Sequence, residues 1–223
     1  MINEICFNQR GWEISKLAPP DSFKKLIDEL TISEESAGQS SEGTRALLSM
    51  LINTLKPKTL LEVGSHIGLG ALSMDMALKN NGFGKLHSLE PTPHYFELLV
   101  ENIKRADLEA QVNPLPLFST DPNLSLILKE KCDLIFLDAN HSYDQALADI
   151  EICFDLLSEN GVIVFDDVGI DVSPKLCQQN KGGVRQAIID FEKNKSGLNT
   201  IFLEWPLWLN PCGIAIGVKQ RVL

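Results

Sequence analysis

The chain has 223 residues, 44% hydrophobic and 22% charged, which suffices for one sizeable buried core and is ordinary for a soluble domain. A formal net charge of -10 with scattered lysines and arginines repels a phosphate backbone, so nucleic acid is not an expected partner. No stretch reaches the roughly 18 consecutive apolar residues of a membrane span, acidic Glu4 comes early, and the five cysteines (Cys6, Cys132, Cys153, Cys177, Cys212) lack a C-x-x-C pair, so the expectation is a cytoplasmic protein with reduced thiols and no membrane partner.

Residues 1–41 read as an N-terminal helical appendage to a domain spanning 42–223. After the breaker Pro19-Pro20, Asp21 is expected to cap an amphipathic helix carrying Phe23, Leu26, Ile27 and Leu30. Ala46, Leu47, Met50, Leu51 and Leu55 then fall at helical spacing, and Lys56-Pro57 ends that run. Five short, continuously apolar stretches at 59–63, 85–90, 112–117, 133–138 and 162–166 have the pattern of strands buried on both faces. Helical patterns at 69–80, 93–105, 121–130 and 144–157 lie between them, so the order predicts a doubly wound, mostly parallel α/β sheet. A last helix at 184–191 precedes strands at 200–205 and 213–218, whose short connection favours an antiparallel edge hairpin and brings the sheet to seven strands.

The first strand runs into Glu62-Val63-Gly64-Ser65-His66-Ile67-Gly68-Leu69-Gly70, a glycine-rich strand-to-helix turn where backbone can approach a ligand closely. Its order is G-x-x-x-G-x-G, not the G-x-G-x-x-G that seats a dinucleotide pyrophosphate, which disfavours a nicotinamide-dependent oxidoreductase. Glu62 would repel a pyrophosphate but could attract an ammonium, directly or through water. Glu90, ending the second strand, can accept both hydroxyls of a ribose. Together these features point to a ligand that joins a nucleoside to an amino acid.

The segment 60–70 resembles the first motif of class I S-adenosylmethionine-dependent methyltransferases, and Glu90 matches their ribose-binding acid. The resemblance runs from about Glu42 to Lys219 and implies the Rossmann-like methyltransferase fold with S-adenosyl-L-methionine as cofactor. It implies that Gly64, Ser65 and Gly68 line the methionine part and that Ser119 touches the adenine side, although Leu117-Phe118-Ser119 departs from the Gly-Asp-Ser-like turn of relatives.

The fourth strand ends in Asp138, with His141 three residues on, and the fifth ends in Asp166-Asp167. Parallel strands present these ends on one sheet edge, so the three acids can converge beside the same crevice. Such clustering suits a hard divalent cation, magnesium or manganese, which would lower the pKa of a bound hydroxyl. His141 is placed to accept that hydroxyl's proton. His66, His87 and His94 lack comparable partners and read as structural or surface residues.

This region is similar to small-molecule and sugar O-methyltransferases with a D-x-x-H-x-Y motif after the fourth strand. The resemblance implies that Asp138, Asp166 and Asp167 hold the metal, with Asp138 also facing the cofactor, and that His141 is the general base. Catechol-type relatives carry a lysine at the His141 position and an asparagine at that of Asp167, which moves the expected acceptor toward a sugar-type or natural-product hydroxyl. Arg185, after Gly182-Gly183, is an alternative grip for an anionic substrate, and Tyr143, Trp205 and Trp208 could wall the acceptor. A non-catalytic binding or assembly subunit is the competing class, and the sequence leaves homo-oligomerisation open.

Overall fold

The computed structural model describes residues 20–176, 182–195, 197–204 and 207–220. Trp205, Cys6 and Cys177 lie outside them. The elements run α1 (Asp21–Thr31), a 3-10 turn (Glu34–Ser36), α2 (Glu42–Leu55), β1 (Thr59–Val63), α3 (Leu69–Asn81), β2 (Lys85–Leu89), α4 (Pro93–Arg105) and β3 (Val112–Leu115). They continue through α5 (Leu124–Leu128), β4 (Cys132–Leu137), α6 (Tyr143–Leu156), β5 (Leu157–Asp166), α7 (Ser173–Leu176), α8 (Gly183–Asn194), β6 (Leu198–Leu203) and β7 (Ile214–Lys219).

The strands form one seven-stranded sheet in the order β3-β2-β1-β4-β5-β7-β6, parallel except where β7 pairs antiparallel with both β5 and β6. Alternation along the strands explains its two apolar faces. Leu60, Leu134, Phe136, Val162 and Val164 pack on one side with α1 to α4, while Leu61, Val63, Ile135, Leu137, Ile163 and Phe165 pack on the other with α6 and α8. Each such fully buried side chain contributes about 1.5–3 kcal/mol relative to exposure. The order reverses beside β1, whose neighbours are β2 and β4, and this opens a crevice beyond the carboxyl ends of those strands.

Several expectations shift in detail. Pro20, not Asp21, occupies the N-cap of α1; Asp21 is its first helical residue, where its charge still favours the helix dipole. Phe23, Leu26 and Leu30 of α1 are buried in the same core as the sheet, so this helix packs as part of it. The helix expected at 121–130 is only Leu124–Leu128, because Asp121 accepts the Asn123 amide in a local turn. β5 begins at Leu157 instead of 162, with a register shift against β4 between Cys132 and Leu134. Cys132 and Cys153 are buried free thiols. Among the described residues no helix is long and apolar enough to cross a membrane.

Candidate active site

The crevice is a cleft of about 350 Å³ lined by Gly64, His66, Glu90, Ser119, Asp138 and His141, among others. Gly64 follows β1 with φ 90°, and a Cβ there would overlap the Asp138 carbonyl, so glycine is what lets the β1 and β4 ends touch. Gly68 caps α3 at φ 99°. Glu90 is buried, and its two oxygens accept the His66 amide at 2.7 Å and the Thr92 amide at 2.8 Å. Two backbone donors thus fix the carboxylate while leaving acceptor capacity for ligand hydroxyls.

Glu62 is placed differently from the ammonium-facing position expected for it. It is 1% exposed, lies outside the cleft lining and accepts the Ser65 hydroxyl at 2.6 Å. Burial pushes its carboxyl up to about 8, against the opposing effect of the Ser65 donor. Gly70 makes room for it, because any side chain there would collide with the Glu62 carboxylate. Ser65 and Gly68 likewise shape the turn from beneath without lining the cleft, whereas Gly64, Glu90, Ser119 and Asp138 do line it.

At the other end of the cleft, ligand atoms of Asp138, His141 and Asp167 lie within 4.8 Å of one another. His141 Nε2 stands 2.7 Å from Asp167 Oδ2 and 3.8 Å from Asp138 Oδ1. That nitrogen is buried without a hydrogen bond of good geometry. Burial alone would lower the imidazole's pKa, but hydrogen-bonding and charge interactions with Asp138 and Asp167 outweigh it and bring it to about 10. Burial raises Asp138 as well. Asp167 reaches the cluster from a left-handed backbone, φ 59°, a conformation costing a non-glycine residue roughly 1 kcal/mol or more and common at functional sites.

Asp166, expected as a third ligand, is not in this group. Its carboxylate accepts the Asp167 amide at 2.9 Å and the Thr44 hydroxyl, and burial followed by the charges of Asp138 and Asp167 pushes it up to about 8. Asp166 thus holds the backbone amide of Asp167, whose left-handed conformation carries its own carboxylate to the cluster. The two hard oxygen donors of Asp138 and Asp167, facing one another across the cluster, fit a divalent cation, with the imidazole of His141 beside it.

The suggested acceptor wall does not assemble from the described aromatics. The Tyr143 hydroxyl donates to Asp190 on α8 at 3.1 Å, and Trp208 packs beside Gly43. Arg185 pairs with Glu204, donates to the Val168 carbonyl and stacks on Phe202, so it braces the β5 and β6 ends. Ile170, Leu207 and Leu209 are exposed apolar residues outside the cleft lining, and the Gly169 amide donates to the Cys212 carbonyl, which ties the turn after Asp167 to the segment preceding β7.

Two features escaped sequence reasoning. His66 adopts φ 49°, stacks on Tyr95 with ring centroids 3.8 Å apart, lines the cleft and is held by Gln39. Asp149 and Gln145, one α6 turn apart, line the cleft and are linked by hydrogen bonds to one another and to Ser119. A signal for Asp149 was available: it is a charged residue on the face that buries Ala146, Ile150 and Cys153.

Residues 61–168 match the family model described as a methyltransferase domain. Bovine (Bos taurus) catechol O-methyltransferase is 25% identical over 194 residues, covering 82% of this chain and 70% of that protein. An O-methyltransferase from Bacillus cereus in complex with SAH superposes with a TM-score of 0.72 at 19% identity, over 91% of this chain and 92% of that one. The O-methyltransferase TomG from Streptomyces achromogenes, in complex with SAM, gives 0.69 at 16% identity, over 92% of each. The solved structures share the fold, Gly64 and Glu90 line the cleft, and the domain match runs from β1 to the acids after β5: the chain carries a methyltransferase domain, and the relatives support S-adenosylmethionine as its methyl donor.

Proposed function

We propose that the chain transfers the methyl group of S-adenosylmethionine to a hydroxyl of a small molecule, with a divalent cation held by Asp138 and Asp167 and with His141 as proton acceptor. The observation that carries this reading is the Asp138, His141 and Asp167 cluster at one end of a cleft whose wall holds the ribose acid Glu90. Such a cation would offset the two carboxylates and lower the pKa of a hydroxyl bound to it. His141 Nε2, between those carboxylates, takes the hydroxyl proton as the methyl group moves. Asp166 holds the Asp167 amide and so keeps Asp167 aimed at the cluster. Gly64 and Glu90 orient the cofactor, and alignment of donor and acceptor supplies much of the rate.

The relative named for catechol supports an aromatic hydroxyl such as a phenol as acceptor over a polyol. The test is incubation of the chain with S-adenosylmethionine, magnesium and parallel panels of phenols, catechols and sugars, read by product mass. Methylation of aromatic hydroxyls that stops on chelation and returns with magnesium or manganese is expected. Full turnover after rigorous chelation would overturn the metal assignment, and methylation confined to sugars would overturn the acceptor class.

A further inference from the structure

A second cavity, of about 680 Å³, opens between α1, α2 and α3. Phe23 and Ile27 of α1 with Leu69 and Met76 of α3 make part of its wall apolar, and α2 contributes the polar residues Arg45 and Asn53. Arg45 is 8% exposed, and its guanidinium donates through Nη1 to the Ser40 carbonyl. Among the described residues no carboxylate hydrogen-bonds to it; the charge of exposed Glu42, one turn earlier on α2, only partly offsets its burial, which lowers its pKa. Ser40 is 7% exposed, lines the same cavity and has a hydroxyl without a hydrogen-bond partner among the described residues. A cation taken out of water without a counter-charge is costly, and a planar guanidinium is matched by a carboxylate through two parallel hydrogen bonds. The other charged residues of the described lining, Lys24, Asp28 and Glu42, are exposed and two of them are acidic, so a monoanion suits the cavity better than a doubly charged phosphate.

This cavity and the reaction cleft share a wall. Gly38 lines the cleft, whereas Gln39 and Ser40 line the second cavity. The Gln39 side chain meets the ring of His66, which lines the cleft, and accepts the Leu69 amide at the start of α3 at 3.3 Å. A carboxylate on the guanidinium competes with the Ser40 carbonyl for its N–H groups and so acts directly on the 38–40 segment. We propose that the cavity is a second ligand site, for a small monocarboxylate with an apolar body held by Arg45, and that its occupancy alters cofactor affinity through residues 38–40. The coupling, but not the site itself, rests on the cofactor reading above.

The experiment is calorimetric titration of the full chain with octanoate and with octanamide, its neutral analogue of similar shape. Octanoate should bind saturably and be preferred by at least about tenfold, since a charge-assisted pair is roughly twice as strong as a neutral hydrogen bond. Arg45→Met keeps an apolar stem without the charge and should erase the preference; Arg45→Gln is carried in parallel and read the same way should the methionine variant fail to fold by circular dichroism. Saturating octanoate should also shift the parent's affinity for S-adenosylhomocysteine by about fivefold or more, with the equal reciprocal shift in octanoate affinity that linkage requires. Absence of saturable octanoate binding overturns the site, as does a folded variant that keeps the parental preference, and an unchanged S-adenosylhomocysteine affinity overturns the coupling. A parent that binds octanoate through Arg45 but not S-adenosylhomocysteine supports the site and counts against the cofactor reading.

Discussion

The two ends of the reaction cleft handle negative charge in opposite ways. On the β1 and β2 side, Glu90 is held by two backbone amides and Glu62 is sealed in the core under the Ser65 hydroxyl. On the β4 and β5 side, the imidazole of His141 stands between the carboxylates of Asp138 and Asp167. Fixed donors make the first end a ready receptor for a neutral sugar. The second gathers negative charge, which raises the pKa of the imidazole between the carboxylates.

The widest separation between the ends should come from His141→Ala. Turnover is expected to fall about 10²–10⁴-fold, because a positioned base contributes about that much, while calorimetric affinity for S-adenosylhomocysteine stays within about twofold. Parental turnover from pH 6 to 9 would remove His141 from the chemistry. Gly64→Ala should instead damage both ends together, since its Cβ drives into the Asp138 carbonyl. Overpacking of this kind costs about 1–3 kcal/mol, so cofactor affinity should drop roughly 10-fold to 100-fold. An unchanged dissociation constant would mean that the β1 and β4 ends separate at no cost.

The smallest effect sharpens the comparison through pH. Glu62's pKa lies near 8 in the fold, above its ordinary 4.5, so the stability associated with its neutral form is complete below about pH 4.5 and is lost as pH rises through about 8. The Ser65 donor favours the charged form, so Ser65→Ala raises the pKa further and the variant's deficit should grow with pH. A melting-temperature difference that is small at pH 5 and approaches the equivalent of about 1 kcal/mol at pH 9 is expected. A difference that is constant across that range would separate Ser65 from the titration of Glu62.

The sheet was legible because burial on both faces leaves continuous apolar runs, and the cleft because Gly64 and Glu90 stand at strand ends. The convergence of Asp138, His141 and Asp167 followed from parallel strands sharing an edge. Which of two adjacent acids joins the cluster did not, since that depends on the left-handed backbone at Asp167. Glu62 was misplaced for a similar reason: the space that receives it exists because residue 70 has no side chain, a three-dimensional fact. His66 reads from sequence as a structural or surface residue because its partners, Gln39 and Tyr95, come from distant segments.

The contact between Gly64 and the Asp138 carbonyl welds the glycine turn to the corner of the cleft that holds Asp138. The exposed apolar residues Ile170, Leu207 and Leu209 belong to other parts of the chain, the turn after Asp167 and the segment preceding β7. Alignment of the transferring carbon is thereby inherited from the sheet, and choice of acceptor from replaceable loops. Exchanging residues 207–209 between such proteins should retarget the acceptor without recalibrating the geometry of transfer, which makes this end of the hairpin the natural place to diversify or engineer substrate range.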